Sequence, residues 1–375
     1  MARTLRVLHM ANVFLGNPYL GLLPEKNREC YFRFPEVFDS VFRYIEEEKI
    51  DLVLVSGNLT GRYMTSEDAA RLLRLMGEAP CPIVIAPGDQ DSYEADSLYA
   101  SGRLPANVKV FETDTLERLD FDDLGLSVYG WAILGQRSSF TPLAGATLAD
   151  EGRINLVVGC CDIGARTLFA HVSREEIAAF GADYAAFGHG PATPVKRAGH
   201  TRYCHAGFLE GRSFEELGVG GFHRVDIAVE EGERQVEVSF VPLSRHRYET
   251  VVMDITGVRE MGEVVDRLSG LVAEHGFSED TSLRVILEGE LHPTVLLRHR
   301  AEDGNLFSLY SLEFIDRTMP TLDAEELERD MSVRGELYRT LRPRLNSHNL
   351  DERLAVAEAL RVGLAALESR DITAL

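Results

Sequence analysis

The stretch "CPIVIAPGDQDSY" (81–93) is an apolar run that ends at Gly88 and passes directly into Asp89, Gln90 and Asp91. A short apolar run bounded by glycine is typical of a strand buried in a parallel sheet. Two similar runs precede it, "LRVLHMA" (5–11) and "DLVLVSG" (51–57). Because ligands bind at the carboxyl ends of parallel strands, we expect the residues that follow these runs to form a site.

The segments between these strands have helical patterns. "FPEVFDSVFRYIEEE" (34–48) predicts a helix with Pro35 in its first turn, and "TSEDAARLLRLMG" (65–77) predicts a second helix with a capping threonine or serine. The resulting order of strands and helices predicts an α/β fold.

The pattern changes after about residue 105, where short strands run from "VKVF" (108–111) to "VEVSFVPL" (236–243). They predict a second, more antiparallel sheet packed against the first. A composition change near 245–256 introduces a second unit, whose helix around 259–275 and strands "SLRVILEGEL" (282–291) and "LYSLEFID" (309–316) indicate an α+β fold. We therefore predict one domain over 1–248 and a C-terminal capping or docking domain over 249–375.

Composition limits the functional classes. The 375 residues contain 39 basic and 60 acidic side chains, a formal charge of −21, so a contact with DNA would require a local basic patch. Candidate patches are "VKRAGHTR" (195–202), "SRHR" (244–247) and "YRTLRPR" (338–344). The five cysteines form no disulfide or zinc pattern, and no run is long enough for a membrane span. We expect a cytoplasmic protein without a membrane contact.

Five loops follow predicted strands in an order that suggests a dinuclear metal site. They are "MANVFLG" (10–16), "SGNLTG" (56–61), "PGDQDS" (87–92), "VVGCCD" (157–162) and "FGHGP" (187–191).

These loops and their flanks resemble the calcineurin-like metallophosphoesterase superfamily, and within it the SbcD and YhaO type of DNA repair exonuclease. The family's loops are D-x-H, G-D, G-N-H-D, a lone His and G-H-x-H. The resemblance implies a two-sheet metallophosphoesterase sandwich flanked by helices, with two Mn²⁺ or similar ions. It also implies an SMC-like ATPase partner of the SbcC type, and DNA ends as the substrate.

The family's ligands are largely replaced in this chain. Gln90 occupies the position of the catalytic histidine. The remaining vestigial metal-site positions are Asn12, Phe14, Asn58, Asp89, Gly159, His189 and Pro191. Asn58 cannot supply the bridging carboxylate that two adjacent cations need, and Phe14 and Gly159 offer no lone pair. We therefore expect no cofactor and a lost enzymatic activity.

Three functional hypotheses remain open. The first is a binding subunit for DNA ends or for the ATPase partner. The second is an active exonuclease or phosphodiesterase with a reduced site of Asp89, Asp91 and His189. The third is binding of phosphate or a small ligand in the emptied cleft. Asp91 is alternatively a loop cap, Cys160 and Cys161 are predicted to be inert buried thiols, and Asp162 is a possible replacement ligand.

The C-terminal segment "LDERLAVAEALRVGLAALE" (350–368) has an apolar helical stripe. It consists of Leu350, Leu354, Ala357, Leu360, Leu364 and Leu367. We expect this stripe to pack on its own domain, with a homodimer contact as the alternative.

Overall fold

The structure is a computed structural model that describes residues 3–135, 140–164, 169–230, 232–291, 307–320 and 324–367. The chain divides into two compact units, Met1–Arg247 and Tyr248–Leu375. The sequence placed this division one residue later, after 248.

The first unit contains the strands of two sheets. They are β1 (Arg3–Met10), β2 (Leu52–Val55), β3 (Ile83–Ile85), β4 (Val108–Val110), β5 (Glu117–Phe121), β6 (Leu126–Gly130), β7 (Ile154–Ile163), β8 (His171–Val172), β9 (Tyr184–His189), β10 (Lys196–Ala198), β11 (Thr201–His205), β12 (Gly221–Glu230) and β13 (Glu233–Pro242).

The first sheet has the order β13-β12-β1-β2-β3-β4 over the described residues. Strands β1, β2 and β3 are parallel, as predicted, and β4 adds to β3 in parallel, whereas β12 and β13 add to the edge of β1 as an antiparallel pair. The prediction that 108–111 and 236–243 belong to the second sheet was wrong, because the alternating pattern of a strand does not reveal which sheet it joins.

The second sheet has the order β10-β11-β9-β7-β6-β5, with β8 pairing on β7. Its centre is parallel through β6, β7, β9 and β11, and only the outer pairs β5–β6 and β10–β11 are antiparallel. The expected antiparallel character is therefore wrong for the centre of this sheet. The carboxyl ends of its parallel strands can consequently contribute to a site in the same way as those of the first sheet.

An apolar core lies between the two sheets. Val7 and Leu54 of the first sheet pack in the same cluster as Leu156, Val158 and Ala186 of the second. The α/β sandwich that the resemblance implied is thus confirmed.

Three helices flank the sheets: α1 (Pro24–Glu47), α2 (Ser66–Glu78) and α3 (Arg174–Phe180). α1 begins ten residues before the predicted start, because Pro24 and not Pro35 lies at its first turn. α2 agrees with the prediction, and Thr65 caps it through a reciprocal capping box with Asp68.

The second unit is α+β. Its elements are β14 (Arg247–Asp254), α4 (Met261–His275), β15 (Thr281–Glu288), β16 (Glu290–Leu291), β17 (Ser311–Asp316), β18 (Met319–Pro320), α5 (Ala324–Arg329), α6 (Val333–Leu345) and α7 (Leu350–Leu367). The main sheet has the order β14-β15-β17, and α4 packs on it.

Helix α7 packs within its own unit, because Leu360 and Leu364 are buried in a cluster with Leu327 and Tyr338. The burial of Leu350 and Leu354 lies outside the described residues, and Leu367 is exposed. None of the helices in the described part of the chain is long and apolar enough to cross a membrane.

Candidate site at the strand ends

The loops that follow β1, β2 and β3 lie side by side at one end of the first sheet. The backbone N–H of Asn12 donates to the carbonyl of Gly57 (3.1 Å), and that of Phe14 donates to the carbonyl of Asn58 (2.9 Å). The loop after β9 reaches the same place, since Asn12 Nδ2 donates to the carbonyl of Gly190 (3.4 Å). The predicted convergence of these loops is therefore present.

The backbone at the motif positions has an uncommon conformation. Asn12, Phe14, Asn58 and His189 all have positive φ, at 48°, 49°, 59° and 84°. Such a conformation costs a bulky residue such as phenylalanine about 1–2 kcal/mol. Four positions with positive φ in three neighbouring loops are a feature that is frequent at functional sites.

The side chain of Asn58 lies at the centre of these loops. Its Nδ2 donates to Asn12 Oδ1 and to Asp89 Oδ1, each at 3.0 Å. Its Oδ1 accepts the backbone N–H of Gln90 at 3.0 Å, which fixes the orientation of the amide. Gln90 Nε2 donates to Asp89 Oδ2 (2.7 Å), so both carboxylate oxygens of Asp89 accept a neutral donor. We call Asn12, Asn58, Asp89, Gln90 and Asp91 the loop-end cluster.

Asp91 is a structural member of this cluster. Its Oδ1 accepts the backbone N–H groups of Gly88 (2.7 Å) and Asn58 (2.9 Å). Its Oδ2 accepts the N–H of Thr60 (3.1 Å) and the hydroxyl of Tyr99 (2.5 Å). Burial raises the pKa of Asp91, and these four donors oppose that shift. The carboxylate therefore holds the loops together, as the capping alternative predicted, and it is not free to bind a metal.

Gly159, which the sequence comparison aligned with the family's lone histidine, has its Cβ direction pointing away from these loops. A Cβ atom at Gly159 would lie 2.1 Å from the ring of buried Trp131. Cys160, in contrast, faces the loops, since a Cβ at Gly57 would lie 2.8 Å from its Cβ. Side chains alternate along β7, and Val158 already faces the core between the sheets. Because Val158 and Cys160 are two positions apart, they point to the same face of the strand, and Gly159 points to the opposite face. The sequence alone could therefore have identified Cys160 as the residue that faces the loops.

Cys160 is a poor ligand or nucleophile in this setting. Its side chain is fully buried, and burial together with the nearby charge of Asp89 raises the pKa of its thiol. Burial likewise raises the pKa of Cys161. Both side chains agree with the predicted inert thiols.

Phe14 is part of an aromatic cage that sequence reasoning missed. The guanidinium carbon of Arg212 lies 5.3 Å from the ring centre of Phe14, 5.6 Å from that of Tyr19 and 4.8 Å from that of Phe34. Arg212 is only 6% exposed and also donates to the carbonyl of Val13. A permanent cation therefore lies beside a position where the family has a metal-binding imidazole, which disfavours a divalent ion there.

His189 is held by Asp162 and not by the loop-end cluster. Its Nδ1 lies 2.8 Å from Asp162 Oδ1, and its ring stacks on Phe169 at a centroid distance of 4.2 Å. The side chain remains about one-third exposed. Asp162 thus orients the imidazole, and Pro191, two residues further on, is exposed and offers no donor atom.

The residues of these loops do not fit two metal ions. A dinuclear site needs a bridging carboxylate and several imidazole or carboxylate ligands. Here the bridging position is Asn58, whose Nδ2 donates hydrogen bonds to its neighbours. A metal ligand must instead offer an electron pair to the ion. Of the potential ligands, Asp91 is saturated and Asp89 accepts two hydrogen bonds.

Two of the three basic clusters are paired with acidic side chains. Arg245 pairs with Glu36 (2.8 Å) and Arg344 with Glu352 (2.8 Å), which leaves little charge for a ligand. Within the described residues, no ion pair involves Lys196, Arg197 or Arg202 on the β10–β11 hairpin. This hairpin is the basic surface most suited to an anionic ligand.

Comparisons with known proteins agree with this architecture. A family model described as calcineurin-like phosphoesterase matches residues 6–191. The DNA double-strand break repair protein Mre11 of Aeropyrum pernix is 24% identical in a 240-residue alignment that covers 58% of this chain and 56% of that protein. The chain therefore spans little more than half of this relative.

Solved structures with detectable similarity include TT1561 of Thermus thermophilus, with 13% identity, 63% of this chain covered, 99% of that chain covered and a TM-score of 0.39. Another is Vps29 of Entamoeba histolytica in complex with Zn²⁺, with 12% identity, 63% and 99% coverage and a TM-score of 0.29. The family model and the two-sheet sandwich together identify the first unit of the chain as a calcineurin-like phosphoesterase domain, with weak similarity to a DNA double-strand break repair protein.

Proposed function

We propose that this protein is a non-hydrolysing member of the DNA repair nuclease type of phosphoesterase, and that it acts as a binding subunit. The observation that carries the proposal is the amide of Asn58, which donates to both Asn12 Oδ1 and Asp89 Oδ1 at 3.0 Å. The neutral Nδ2 group of Asn58 thus bridges the two oxygens, and the cluster does not need a cation to stabilise this arrangement.

The energetic argument supports the same proposal. Two divalent ions a few ångströms apart repel each other strongly unless a carboxylate lies between them. In this chain a neutral amide is in that place, and Arg212 adds a fixed positive charge beside Phe14. Gln90 has no ionisable group, so it cannot serve as the general acid, a role worth about 10²–10⁴-fold in rate.

The proposed ligand is a DNA end, held by the β10–β11 hairpin. Lys196, Arg197 and Arg202 are exposed there, and their charges are available to phosphate groups. The name of the archaeal relative, a double-strand break repair protein, makes DNA the first ligand to test. An SMC-like ATPase is the proposed partner on the same grounds.

The experiment combines cleavage and binding with the full chain. Labelled linear duplex DNA is incubated with the protein and Mn²⁺, and we expect no more products than in EDTA. Binding of the same DNA is followed by fluorescence anisotropy at several salt concentrations. We expect Lys196→Gln, Arg197→Gln and Arg202→Gln together to weaken binding at least about tenfold and to reduce the salt slope by about 3.

The control for binding removes the same number of charges from paired positions, with Arg245→Gln, Arg342→Gln and Arg344→Gln. This control should leave DNA binding nearly unchanged. Equal losses in the two triple variants would show that total charge, and not the hairpin, governs binding. The absence of DNA binding by the unmodified chain would contradict the proposed ligand.

A second candidate function is hydrolysis by a reduced site. The observation in its favour is His189, whose imidazole is oriented by Asp162 and remains partly exposed. Asp89, half-buried nearby in the loop-end cluster, would be the second functional group. Mn²⁺-dependent cleavage that is lost in both Asp89→Ala and His189→Ala would favour this candidate and overturn the first.

A further inference from the structure

A second group of polar side chains lies between the two sheets, one layer below the loop-end cluster. His9 of β1 and His223 of β12 are opposite each other in the first sheet, and Tyr184 of β9 and Cys204 of β11 face them from the second. All four side chains are buried, with at most 4% exposure. We call these four residues the interior cluster.

The distances in the interior cluster are close to those of a metal site. A ring nitrogen of His9, a ring nitrogen of His223 and Cys204 Sγ all lie within 4.8 Å of one another. The Tyr184 hydroxyl is 2.8 Å from His9 Nδ1 and 3.2 Å from Cys204 Sγ. In a tetrahedral zinc site with metal–ligand distances of about 2.0–2.3 Å, neighbouring ligand atoms are about 3.3–3.7 Å apart. Both distances to the Tyr184 hydroxyl are shorter than this range, and the two ring nitrogens and Cys204 Sγ lie within 4.8 Å of one another.

Two details favour a ligand over an ordinary polar core. Nδ1 of His223 is buried and has no hydrogen-bond partner, a state that costs about 1–3 kcal/mol. His9 has its Nε2 anchored by Ser56 Oγ at 2.8 Å, while its Nδ1 faces the cluster. Metal-binding histidines usually have their second nitrogen held by such a hydrogen bond, because it fixes the ring and its tautomer.

We propose that His9, Tyr184, Cys204 and His223 form a closed structural site for one zinc ion that joins the two sheets. Two neutral imidazoles, a thiolate and a phenolate would complete a four-coordinate shell with no open position. On binding, the thiol and the phenol each release one proton, so that their two negative charges balance the ion. No oxidation or reduction is involved.

The protonation states of the two imidazoles agree with this arrangement, whereas burial raises the pKa of the Tyr184 phenol well above its usual value, so an ion must displace its proton. Burial lowers the pKa of His9 far below its usual value and lowers that of His223 to about 4, so both rings are neutral at pH 7. Neutral imidazole is the form that binds a metal. Burial raises the pKa of Cys204 to about 11, and therefore the thiol is protonated until an ion displaces its proton. Zinc binding should consequently weaken as the pH falls.

The test measures zinc in the full chain. The protein is treated with a chelator, supplied with excess Zn²⁺, desalted and analysed for zinc per chain. We expect about one ion per chain, lost in Cys204→Ser and in His223→Gln. Cys81→Ser changes a buried thiol elsewhere in the first unit, and Asp89→Ala changes the loop-end cluster; both should keep the ion.

A spectroscopic measurement keeps the test informative if a variant folds poorly. Co²⁺ in place of Zn²⁺ should give a thiolate-to-metal charge-transfer band in the unmodified chain and in Cys81→Ser. Folding of each variant is checked by circular dichroism, and Zn²⁺ should raise the melting temperature of the unmodified chain. A zinc content near zero, the absence of the Co²⁺ band, or an ion that Cys204→Ser retains would each overturn the proposal. An ion lost only in Asp89→Ala would place it in the loop-end cluster.

Discussion

The loop-end cluster and the interior cluster differ in what each retains of a metal centre. The loop-end cluster has positive φ at Asn12 and Asn58, and both positions carry neutral amides. The interior cluster has imidazoles and a thiol close together, but it lies in the core between two sheets. His9 of the interior cluster precedes Asn12 of the loop-end cluster by only three positions. The comparison teaches that a loop with the geometry of a site and a group of metal-binding side chains can lie next to each other in the chain and still be two different places in the fold.

On strand β7, Cys160 faces the loop-end cluster and Gly159 faces away from it. A substitution of Gly159 should have the largest effect on the free energy of unfolding. Gly159→Ala places a methyl group 2.1 Å from the fully buried Trp131 ring. We expect a loss of about 3 kcal/mol or more in the free energy of unfolding, measured by urea denaturation. The control Gly270→Ala, in helix α4 with open space around it, should be neutral or slightly stabilising. A tolerated Gly159→Ala would contradict the direction assigned to this side chain.

A substitution of the neutral Asn58 side chain should have the next largest effect on the free energy of unfolding. Asn58→Asp replaces a donor by a carboxylate that would face Asp89 Oδ1 and Asn12 Oδ1. In EDTA we expect a destabilisation of about 2–3 kcal/mol from the lost hydrogen bonds and the like charges. Mn²⁺ should restore part of this stability, because a cation can then lie between the two carboxylates.

The matched control is Asn155→Asp, in which another buried amide donates to the carbonyls of Asp150 and Arg153. It should also be destabilised, but Mn²⁺ should not restore its stability. Equal responses of both variants to Mn²⁺ would mean that the ion acts elsewhere on the protein.

The interior cluster should make the stability of the protein sensitive to acid, an effect that is absent at pH 7 and appears only as the pH falls. Burial lowers the pKa of His223 to about 4, whereas an unfolded histidine has a pKa near 6.5. Below pH 6.5 the unfolded chain therefore binds more protons than the folded chain, so stability is complete above this pH and falls towards pH 4. With chelator present, His223 should contribute about 2–3 kcal/mol to this loss.

Denaturation midpoints between pH 7 and pH 4 measure this contribution. His223→Gln should flatten the pH dependence, while His275→Gln, at an exposed position in α4, should leave it unchanged. A steep acid loss that persists in His223→Gln would assign the effect to other groups, among them His9 and His205, whose pKa values burial also lowers.

The sequence predicted the parts of the fold that depend on local pattern. The parallel strands of the first sheet follow from their apolar runs, and α2 follows from its capping residues. The start of α1 was misplaced because two prolines, Pro24 and Pro35, fit the first turn equally well. The sheet membership of β4, β12 and β13 depends on long-range pairing, which alternation along one strand does not encode.

The sequence also predicted some features of the candidate site and missed others. The five loops and the replaced ligands were visible in the motifs, and Asp91 was correctly identified as a loop cap. The motif comparison chose Gly159 over Cys160, because it did not use the alternation of side chains along β7. The Arg212 cage was missed, since Phe14 and Arg212 are far apart in sequence and share no motif.

The order β13-β12-β1-β2 has a consequence for how the chain folds. Arg3 of β1 pairs with Val229 of β12, so β1 is separated by more than 200 residues of chain from the strand that covers its edge. Contacts between residues so distant in sequence form slowly, and β1 has an unpaired edge until they do. A fragment that ends at residue 191, where the family model ends, would leave that edge exposed permanently. Such a fragment would be expected to aggregate, although it contains every loop of the loop-end cluster.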